Sequence, residues 1–179
     1  MARYLFLDID GVLNDSGWIN AKHPITVGET PWWRQYEHIN PAAVERLNRI
    51  TDATGAKIVI SSTWRQGAGS TEAMQQILYP RGVTGEIIGI TPLHPQRVRE
   101  IEIFQWLRDN AGINLIYDQD EDRQSLAGAD YGAGVRLLVL DDEQKFLYSL
   151  RDYMVKTEYF GGGLLDQHVQ PAIDILLSE

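Results

Sequence analysis

The sequence contains no cysteine, and this absence removes several kinds of chemistry at once. A disulfide framework, a thiolate nucleophile and zinc or iron–sulfur sites held by cysteine are all excluded. Long apolar runs are also missing, since none approaches the roughly 20 residues that a membrane span requires. The start of the chain lacks the pattern of a signal peptide, because the short apolar run at residues 4–7 ends at Asp8. We therefore expect a cytoplasmic protein.

Basic residues are few relative to acidic ones: 16 Lys and Arg stand against 25 Asp and Glu, which gives a formal net charge of −9. This balance argues against a surface that wraps a long nucleic-acid backbone. It leaves open a nucleotide or a short nucleic-acid end, and it suits a site that holds a divalent cation. With 179 residues, 44% of them hydrophobic, the chain fits one globular domain over residues 1–179.

Short apolar runs alternate with amphipathic stretches along the chain. Strand patterns cover residues 4–8, 57–61 and 136–140, with a short strand at 153–156 and a weaker candidate at 84–90. Helical patterns cover residues 41–54, 70–79, 97–109 and 166–177. The runs 57–61 and 136–140 have almost no polar face, which is typical of buried parallel strands. The alternation predicts an α/β fold in which a mostly parallel sheet carries helices on both faces.

The three clearest strand patterns each lead into hydroxyl or carboxylate side chains, namely Asp8 and Asp10, Ser61 and Ser62, and Asp141 and Asp142. Open parallel sheets bind ligands at the carboxyl ends of their strands, so these side chains are expected at one edge. Several carboxylates in one crevice repel one another unless a cation compensates them. Mg²⁺ is the natural choice because it prefers oxygen ligands. Taken alone, the pair Asp8 and Asp10 is more often a turn cap than a metal site.

Three segments resemble motifs of the haloacid dehalogenase (HAD) superfamily of phosphatases. Residues 5–14 (LFLDIDGVLN) resemble its first motif, 58–61 (IVIS) its second and 137–142 (LLVLDD) its fourth, in the family's order and separation. Four further strings are similar to the phosphatase-like domains of multi-domain RNA-repair proteins: SSTWR at 61–65, IGITP at 88–92, WL at 106–107 and VKT at 155–157. The resemblance covers essentially the whole chain, and it implies a Rossmann-like HAD fold with a small cap insertion.

The resemblance also implies a role for each matching residue. Asp8 would be the nucleophile that forms an aspartyl-phosphate and would also bind the metal. Asp10 would act as general acid toward the leaving oxygen and then as general base toward water, with its backbone carbonyl facing the metal. Ser61 would donate a hydrogen bond to a phosphoryl oxygen. Asp142 is the preferred direct metal ligand, with Asp141 beside it as a ligand or an orienting group.

Three positions that adjoin the first and second motif residues are candidates for contact with the substrate: Gly11, Ser62 and Arg65. Gly11 allows a tight exit from the first strand, and Ser62 directly follows the second motif. The guanidinium of Arg65 is able to bind a second anionic group of the substrate in a bidentate manner. It is equally able to pair with an acidic neighbour, and the sequence leaves both roles open.

The superfamily also requires a basic residue between its second and fourth motifs. We expect this residue to be Arg99, because it stands at the right distance before Trp106 for the RNA-repair pattern. Arg97 and Arg81 are the alternatives. Directly after this arginine, related domains tend to have Gly followed by acidic residues, whereas this sequence has EIE at residues 100–102. A helix start is an unfavourable place for a cation, which favours a functional reason for arginine there.

Two segments are candidates for determining which substrate the protein binds. Residues 15–38 would form the small cap, and their tryptophans either stack a nucleobase or pack the segment onto the sheet. Residues 117–134 are rich in aspartate but lack the ligand spacing of a calcium loop, so they predict a solvated acidic loop or a small flap.

These inferences predict a Mg²⁺-dependent phosphomonoesterase that acts on a nucleotide or on the terminal phosphate of a nucleic acid. A phosphatase for small sugar phosphates is the enzymatic alternative. A phosphate-binding module without turnover and a phosphoryl-accepting signalling domain are the alternatives from other classes. The expected partner is thus a phosphorylated small molecule or a short nucleic-acid end, with neither a membrane nor extended nucleic acid. The sequence leaves the oligomeric state open.

Overall fold

The computed structural model of the protein describes residues 1–22, 38–113, 134–143 and 150–178. The strands in these residues are β1 (Ala2–Leu7), β2 (Lys57–Ile60), β3 (Ile87–Ile90), β4 (Val135–Asp141) and β5 (Met154–Lys156). The α-helices are α1 (Ser16–Lys22), α2 (Pro41–Thr54), α3 (Arg65–Ala68), α4 (Thr71–Leu78), α5 (Arg99–Ala111) and α6 (Asp166–Leu177). Short 3-10 helices lie at Tyr79–Arg81, Arg151–Tyr153 and Tyr159–Gly161. No helix in the described residues is long and apolar enough to cross a lipid bilayer.

The strands form one sheet in the order β3-β2-β1-β4-β5, and every neighbouring pair is parallel. The central strand is β1, whose Leu5 lies between Ile58 of β2 and Leu138 of β4. This arrangement confirms the predicted parallel sheet. Because all strands point the same way, their carboxyl ends meet at one edge, and the polar motif residues follow the strands at that edge.

Helices cover both faces of the sheet, as the alternating pattern predicts. Successive residues of a strand point to opposite faces, so Leu5 and Phe6 of β1 belong to different apolar clusters. Leu5 belongs to the cluster that contains residues of α2, α4 and α6, whereas Phe6 packs with residues of α5. The ring of Trp106 on α5 meets that of Phe6 edge to face, with 5.6 Å between ring centroids. The sheet is therefore held between two helical layers.

The start of α5 differs from its sequence prediction. The periodic pattern begins at residue 97, but the helix begins at Arg99. Arg97 has a φ of 52°, and Val98 is extended with φ −91° and ψ 109°, so neither residue is helical. The N–H of Arg97 donates to the carbonyl of His94 over 2.8 Å, which closes a turn before the helix. This turn makes Arg99 the first residue of the helix.

The two predicted insertions fall largely outside the described residues. Within the segment 15–38, the structure describes residues 15–22, which include α1, and residue 38, whereas residues 23–37 lie outside the description. The acidic segment 117–134 lies outside it except for residue 134. The cap and the acidic flap therefore stay predictions.

The start of α2 generates a stability prediction. The side chain of Asn40 accepts a hydrogen bond from the N–H of Ala42 over 3.0 Å, which satisfies one free donor of the first helical turn. We expect Asn40→Ala to lower the free energy of unfolding by about 1 kcal/mol. Asn40→Ser, which keeps a capping oxygen, should lose only a fraction of that amount. Urea denaturation measures both, and equal losses would contradict the capping role.

Candidate active site

Three carboxylates come together at the carboxyl edge of the sheet. Asp8 directly follows β1, Asp141 ends β4 and Asp142 comes next, and oxygens of all three lie within 4.8 Å of one another. The pairing of the strands fixes this geometry, because the N–H of Asp8 donates to the carbonyl of Leu140 over 2.9 Å. Asp8 and Asp141 are buried, with exposed fractions of 5% and 1%. Residues far apart in the sequence thus form one anionic cluster.

Arg99 supplies a positive charge to this cluster from α5. Its Nη1 lies 3.0 Å from Oδ2 of Asp8 and 2.7 Å from Oδ2 of Asp141, so one nitrogen bridges two carboxylates. Burial by itself would lower the pKa of Arg99, but the charges of Asp8 and Asp141 outweigh it and raise that pKa above its ordinary value. The guanidinium is therefore firmly cationic at this edge.

One arginine does not relieve all of the repulsion among the carboxylates. Burial, followed by the charge of Asp8, raises the pKa of Asp141 to about 7 despite the nearby Arg99. Burial and the charge of Asp8 also raise the pKa of Asp142. A raised pKa of this kind means that neither water nor a nearby positive charge fully stabilises the ionised carboxylate. The donor set consists of hard oxygen atoms, which fits a divalent cation of the Mg²⁺ type.

The turn after β1 is built around Gly11, which no residue with a side chain would replace easily. Gly11 has a φ of 78°, and a Cβ atom there would lie 2.5 Å from Cγ of Asp142. The Thr157 hydroxyl after β5 donates to the Gly11 carbonyl over 2.6 Å. The sequence suggested Gly11 as a substrate-contacting position, and the structure places it directly against the carboxylate of Asp142.

Asp10 lies beside the anionic cluster, and its side chain is held by two other residues. Nδ2 of Asn14 donates to its Oδ1 over 2.8 Å, and Nε1 of Trp64 donates to its Oδ2 over 2.9 Å. Burial raises the pKa of Asp10, and these two hydrogen bonds partly oppose that rise. Sequence analysis did not predict either of these two contacts. The string SSTWR contained Trp64 but gave no signal of where its indole would point.

Ser61 presents a hydroxyl that is ready to donate. Its N–H donates to the carbonyl of Leu7 over 2.9 Å, which fixes the residue beside the end of β1. The residue is fully buried, and its Oγ has no hydrogen-bond partner among the described residues. Ser62 is also fully buried, and its Oγ accepts from the N–H of Trp64 over 3.4 Å. Of the two hydroxyls, that of Ser61 is therefore the one without any hydrogen-bond partner among the described residues.

Arg65 makes an internal ion pair, which is the second of the two roles that the sequence left open. Its exposed fraction is 3%, and its Nη2 contacts Oε2 of Glu102 on α5. The same guanidinium donates to the backbone carbonyls of Ser61, Ser62 and Thr91. With these acceptors in place, Arg65 ties the loop after β2 to the helix that carries Arg99.

Of the three candidate cations between the second and fourth motifs, the structure brings Arg99 to the carboxylates. Arg97 lies in the turn before α5, where its backbone adopts the left-handed conformation. Arg81 lies in the 3-10 helix between α4 and β3, at the edge where the strands begin, and its Nη1 donates to the carbonyl of Ile77. This edge is opposite to the one that carries Asp8.

The fold and the site together define a class of α/β protein with an acidic centre at the end of a parallel sheet. Residues 4–169 match the model of a family described as the HAD domain in Swiss Army Knife RNA repair proteins. The chain belongs to this family, which confirms the resemblance drawn from its motifs. No curated protein and no solved structure matches the chain. HAD domains are generally hydrolases of the phosphatase type, so membership of the family suggests phosphatase-type activity.

The buried ion pair of Arg65 generates a stability prediction. Replacing one partner of such a pair leaves the other charge buried without compensation. We expect Glu102→Leu to lower the free energy of unfolding by about 3–5 kcal/mol. Glu86 forms an exposed pair with Lys57 over 3.2 Å, so Glu86→Leu is a matched control that should change it by about 1 kcal/mol or less. Similar losses in the two variants would contradict the structural role of the buried pair.

The raised pKa of Asp141 generates a prediction on pH. An aspartate has an ordinary pKa of 3.8, and that of Asp141 is raised to about 7 in the folded protein. A carboxyl group whose pKa is raised on folding favours the folded state most at low pH and loses this contribution as the pH rises. In the presence of EDTA, the free energy of unfolding should therefore fall as the pH rises from about 4 to about 7. Urea denaturation across this range measures the slope.

Asp141→Asn should flatten this slope, because the amide does not ionise. Asp52→Asn serves as the control, since Asp52 is exposed on α2 and should leave the slope as it is. An unchanged slope in Asp141→Asn would show that other groups cause the pH dependence.

Proposed function

We propose that the protein is a Mg²⁺-dependent phosphomonoesterase that forms an aspartyl-phosphate on Asp8. The observation that carries this proposal is the convergence of Asp8, Asp141, Asp142, Arg99 and the unpartnered hydroxyl of Ser61 at one edge of the sheet. This edge of the sheet would thus carry a carboxylate nucleophile, a set of oxygen ligands and two kinds of donor for a phosphoryl group. Membership of the HAD family supports the same chemistry.

The three clustered carboxylates would hold the metal ion. Asp8 and Asp142 are the proposed direct ligands through their side chains, with Asp141 as a further ligand or as the group that orients Arg99. Asp10 would contribute its backbone carbonyl, since both oxygens of its side chain already accept hydrogen bonds from Asn14 and Trp64. Bound Mg²⁺ would stabilise negative charge on the phosphoryl oxygens.

The first chemical step is assigned to Asp8 and Asp10. A carboxylate oxygen of Asp8 attacks phosphorus, the bond from phosphorus to the leaving oxygen breaks, and Asp10 delivers a proton to that oxygen. Oδ1 of Asp8 accepts a hydrogen bond from the N–H of Ile9 over 2.8 Å, and Oδ2 contacts Arg99. These contacts support a nucleophile that is fixed in orientation before the substrate binds.

The second step returns the enzyme to its starting state. Asp10 takes a proton from a water molecule, whose oxygen attacks the phosphorus of the aspartyl-phosphate. The bond between phosphorus and the Asp8 oxygen breaks, which releases inorganic phosphate and restores the carboxylate. Arg99 and the hydroxyl of Ser61 would stabilise the phosphoryl oxygens in both steps, because negative charge is spread over these oxygens during transfer.

A nucleotide or a short nucleic-acid end is the proposed substrate class. The description of the family, which concerns RNA-repair proteins, supports a nucleic-acid phosphate. The net charge of −9 favours short ends over long polyanions. In addition, Phe160 is 88% exposed in a 3-10 helix that follows β5 and contacts α1, so an aromatic side chain is available near the carboxyl edge. Exposed aromatic rings stack on nucleobases of any sequence.

The first test is phosphate release by the purified protein, with Mg²⁺ and with EDTA. The substrates are p-nitrophenyl phosphate, nucleoside 3′- and 5′-monophosphates, a 3′-phosphorylated oligonucleotide and several sugar phosphates. We expect release that depends on Mg²⁺ and is fastest with a nucleotide or an oligonucleotide end. A preference for sugar phosphates would replace the proposed substrate class, and no release from any substrate would contradict the enzymatic function.

Asp8→Asn tests the covalent mechanism. The amide has nearly the same volume but does not attack phosphorus, so we expect kcat to fall by at least about 1,000-fold while the fold is kept. Circular dichroism and urea denaturation check the fold. Asp52→Asn is the control for a surface aspartate and should keep full activity. Normal turnover by purified Asp8→Asn would rule out Asp8 as the nucleophile.

A further inference from the structure

We infer that Trp64 is a positioning residue that, together with Asn14, holds the Asp10 carboxylate in the orientation needed for proton transfer. This inference rests on the proposed function, in which Asp10 protonates the leaving oxygen. It assigns a purpose to a tryptophan whose indole reaches from the loop after β2 to the turn after β1.

The two hydrogen bonds act on different oxygens of the same carboxylate. Nε1 of Trp64 donates to Oδ2 of Asp10 over 2.9 Å, and Nδ2 of Asn14 donates to Oδ1 over 2.8 Å. The torsion that rotates an aspartate carboxylate has only a weak preference of its own. One donor on each oxygen therefore fixes the plane of the group, whereas a single donor would leave it free to pivot.

Both donors are themselves held in place. Asn14 is 1% exposed, and its Oδ1 accepts from the N–H of Gly11 over 3.1 Å, which sets the direction of its amide. Trp64 is 5% exposed and belongs to the apolar cluster on the α2 side of the sheet. The next residue, Arg65, anchors the same turn through the carbonyls of Ser61 and Ser62. The positions of the two donors are thus set before any substrate binds.

The hydrogen bonds leave Asp10 able to carry a proton. An ionised carboxylate offers about four lone-pair positions, of which Trp64 and Asn14 use two. A proton for the leaving oxygen can therefore reside on either oxygen without displacing these donors. Correct placement matters because a misplacement of about 1 Å costs on the order of 100-fold in rate.

The test compares Trp64→Phe with the wild-type protein on two substrates. A nucleoside 3′-monophosphate has an alkoxide leaving group that needs a proton, whereas the p-nitrophenolate of p-nitrophenyl phosphate leaves without one. The variant keeps an aromatic ring but loses the N–H donor to a charged acceptor, so we expect kcat/KM for the nucleotide to fall about 10- to 100-fold. We expect kcat/KM for p-nitrophenyl phosphate to fall by less than about 3-fold, because kcat/KM covers only the steps up to release of the leaving group and excludes the hydrolysis step, in which Asp10 acts as base for both substrates.

A second variant separates the hydrogen bond from the shape of the side chain. Replacing Trp64 by β-(3-benzothienyl)alanine exchanges the indole N–H for sulfur and keeps the size of the ring system, so the same selective loss is expected. Trp106→Phe is the matched control, because Trp106 is also 5% exposed but packs against Phe6 on the opposite face of the sheet. Trp106→Phe should leave the ratio of the two kcat/KM values unchanged. Equal loss with both substrates in the Trp64 variants, or no loss, would overturn the inference.

A measurement that does not require turnover tests the contact itself. The protein has five tryptophans, and the indole N–H signal of Trp64 is assigned by its disappearance from the NMR spectrum of Trp64→Phe. In Asp10→Ala this signal should move upfield, because its acceptor is gone. An unmoved signal would overturn the inference even if the enzyme is active. A wild-type protein that hydrolyses neither substrate would instead overturn the proposed function, and the positioning role with it.

Discussion

The concentration of negative charge at the carboxyl edge of the sheet is the constraint on which the rest of the site depends. Parallel pairing of β1 with β4 places Asp8 beside Asp141, and neither is free to move away because the strands that carry them are buried. Arg99 compensates part of this charge, yet the pKa of Asp141 still rises to about 7. The folded chain therefore keeps an electrostatic cost at this edge that a bound cation would relieve.

Two internal contacts hold the groups that surround this charge. The buried pair of Arg65 and Glu102 connects the loop after β2 to α5, and Glu102 lies one turn along that helix from Arg99. Trp64, beside Arg65, reaches the carboxylate of Asp10. The loop after β2 thus positions both the cation and the proposed proton donor. Because Trp64 and Asn14 hold the side chain of Asp10, this side chain lies outside the cluster of Asp8, Asp141 and Asp142, although Asp10 is only two residues from Asp8.

Local pattern predicted most of the fold. The helix at residues 41–54 was bounded correctly, because Asn40 caps it and Gly55 adopts the left-handed conformation that ends it. The apolar run at 136–140 identified a buried strand, because a strand covered on both faces has no polar side. The start of α5 was placed two residues early, since periodicity extends through Arg97 whereas its backbone has a φ of 52°. The spacing of apolar residues indicates which residues face the core, but it does not indicate at which residue the helical backbone begins.

The sequence by itself placed Asp8, Ser61 and Asp141 at the carboxyl ends of parallel strands, because the strand patterns and their polar ends are local features of the chain. It favoured Arg99 over Arg97 and Arg81 as the cation and left Arg65 between two roles. Only the tertiary structure placed Arg99 against Asp8 and Asp141, since the distance from α5 to these residues depends on how the helix packs on the sheet. It alone brought Trp64 to Asp10, 54 positions away in the chain. Contacts of this kind arise from packing between separate segments, and no local pattern encodes them.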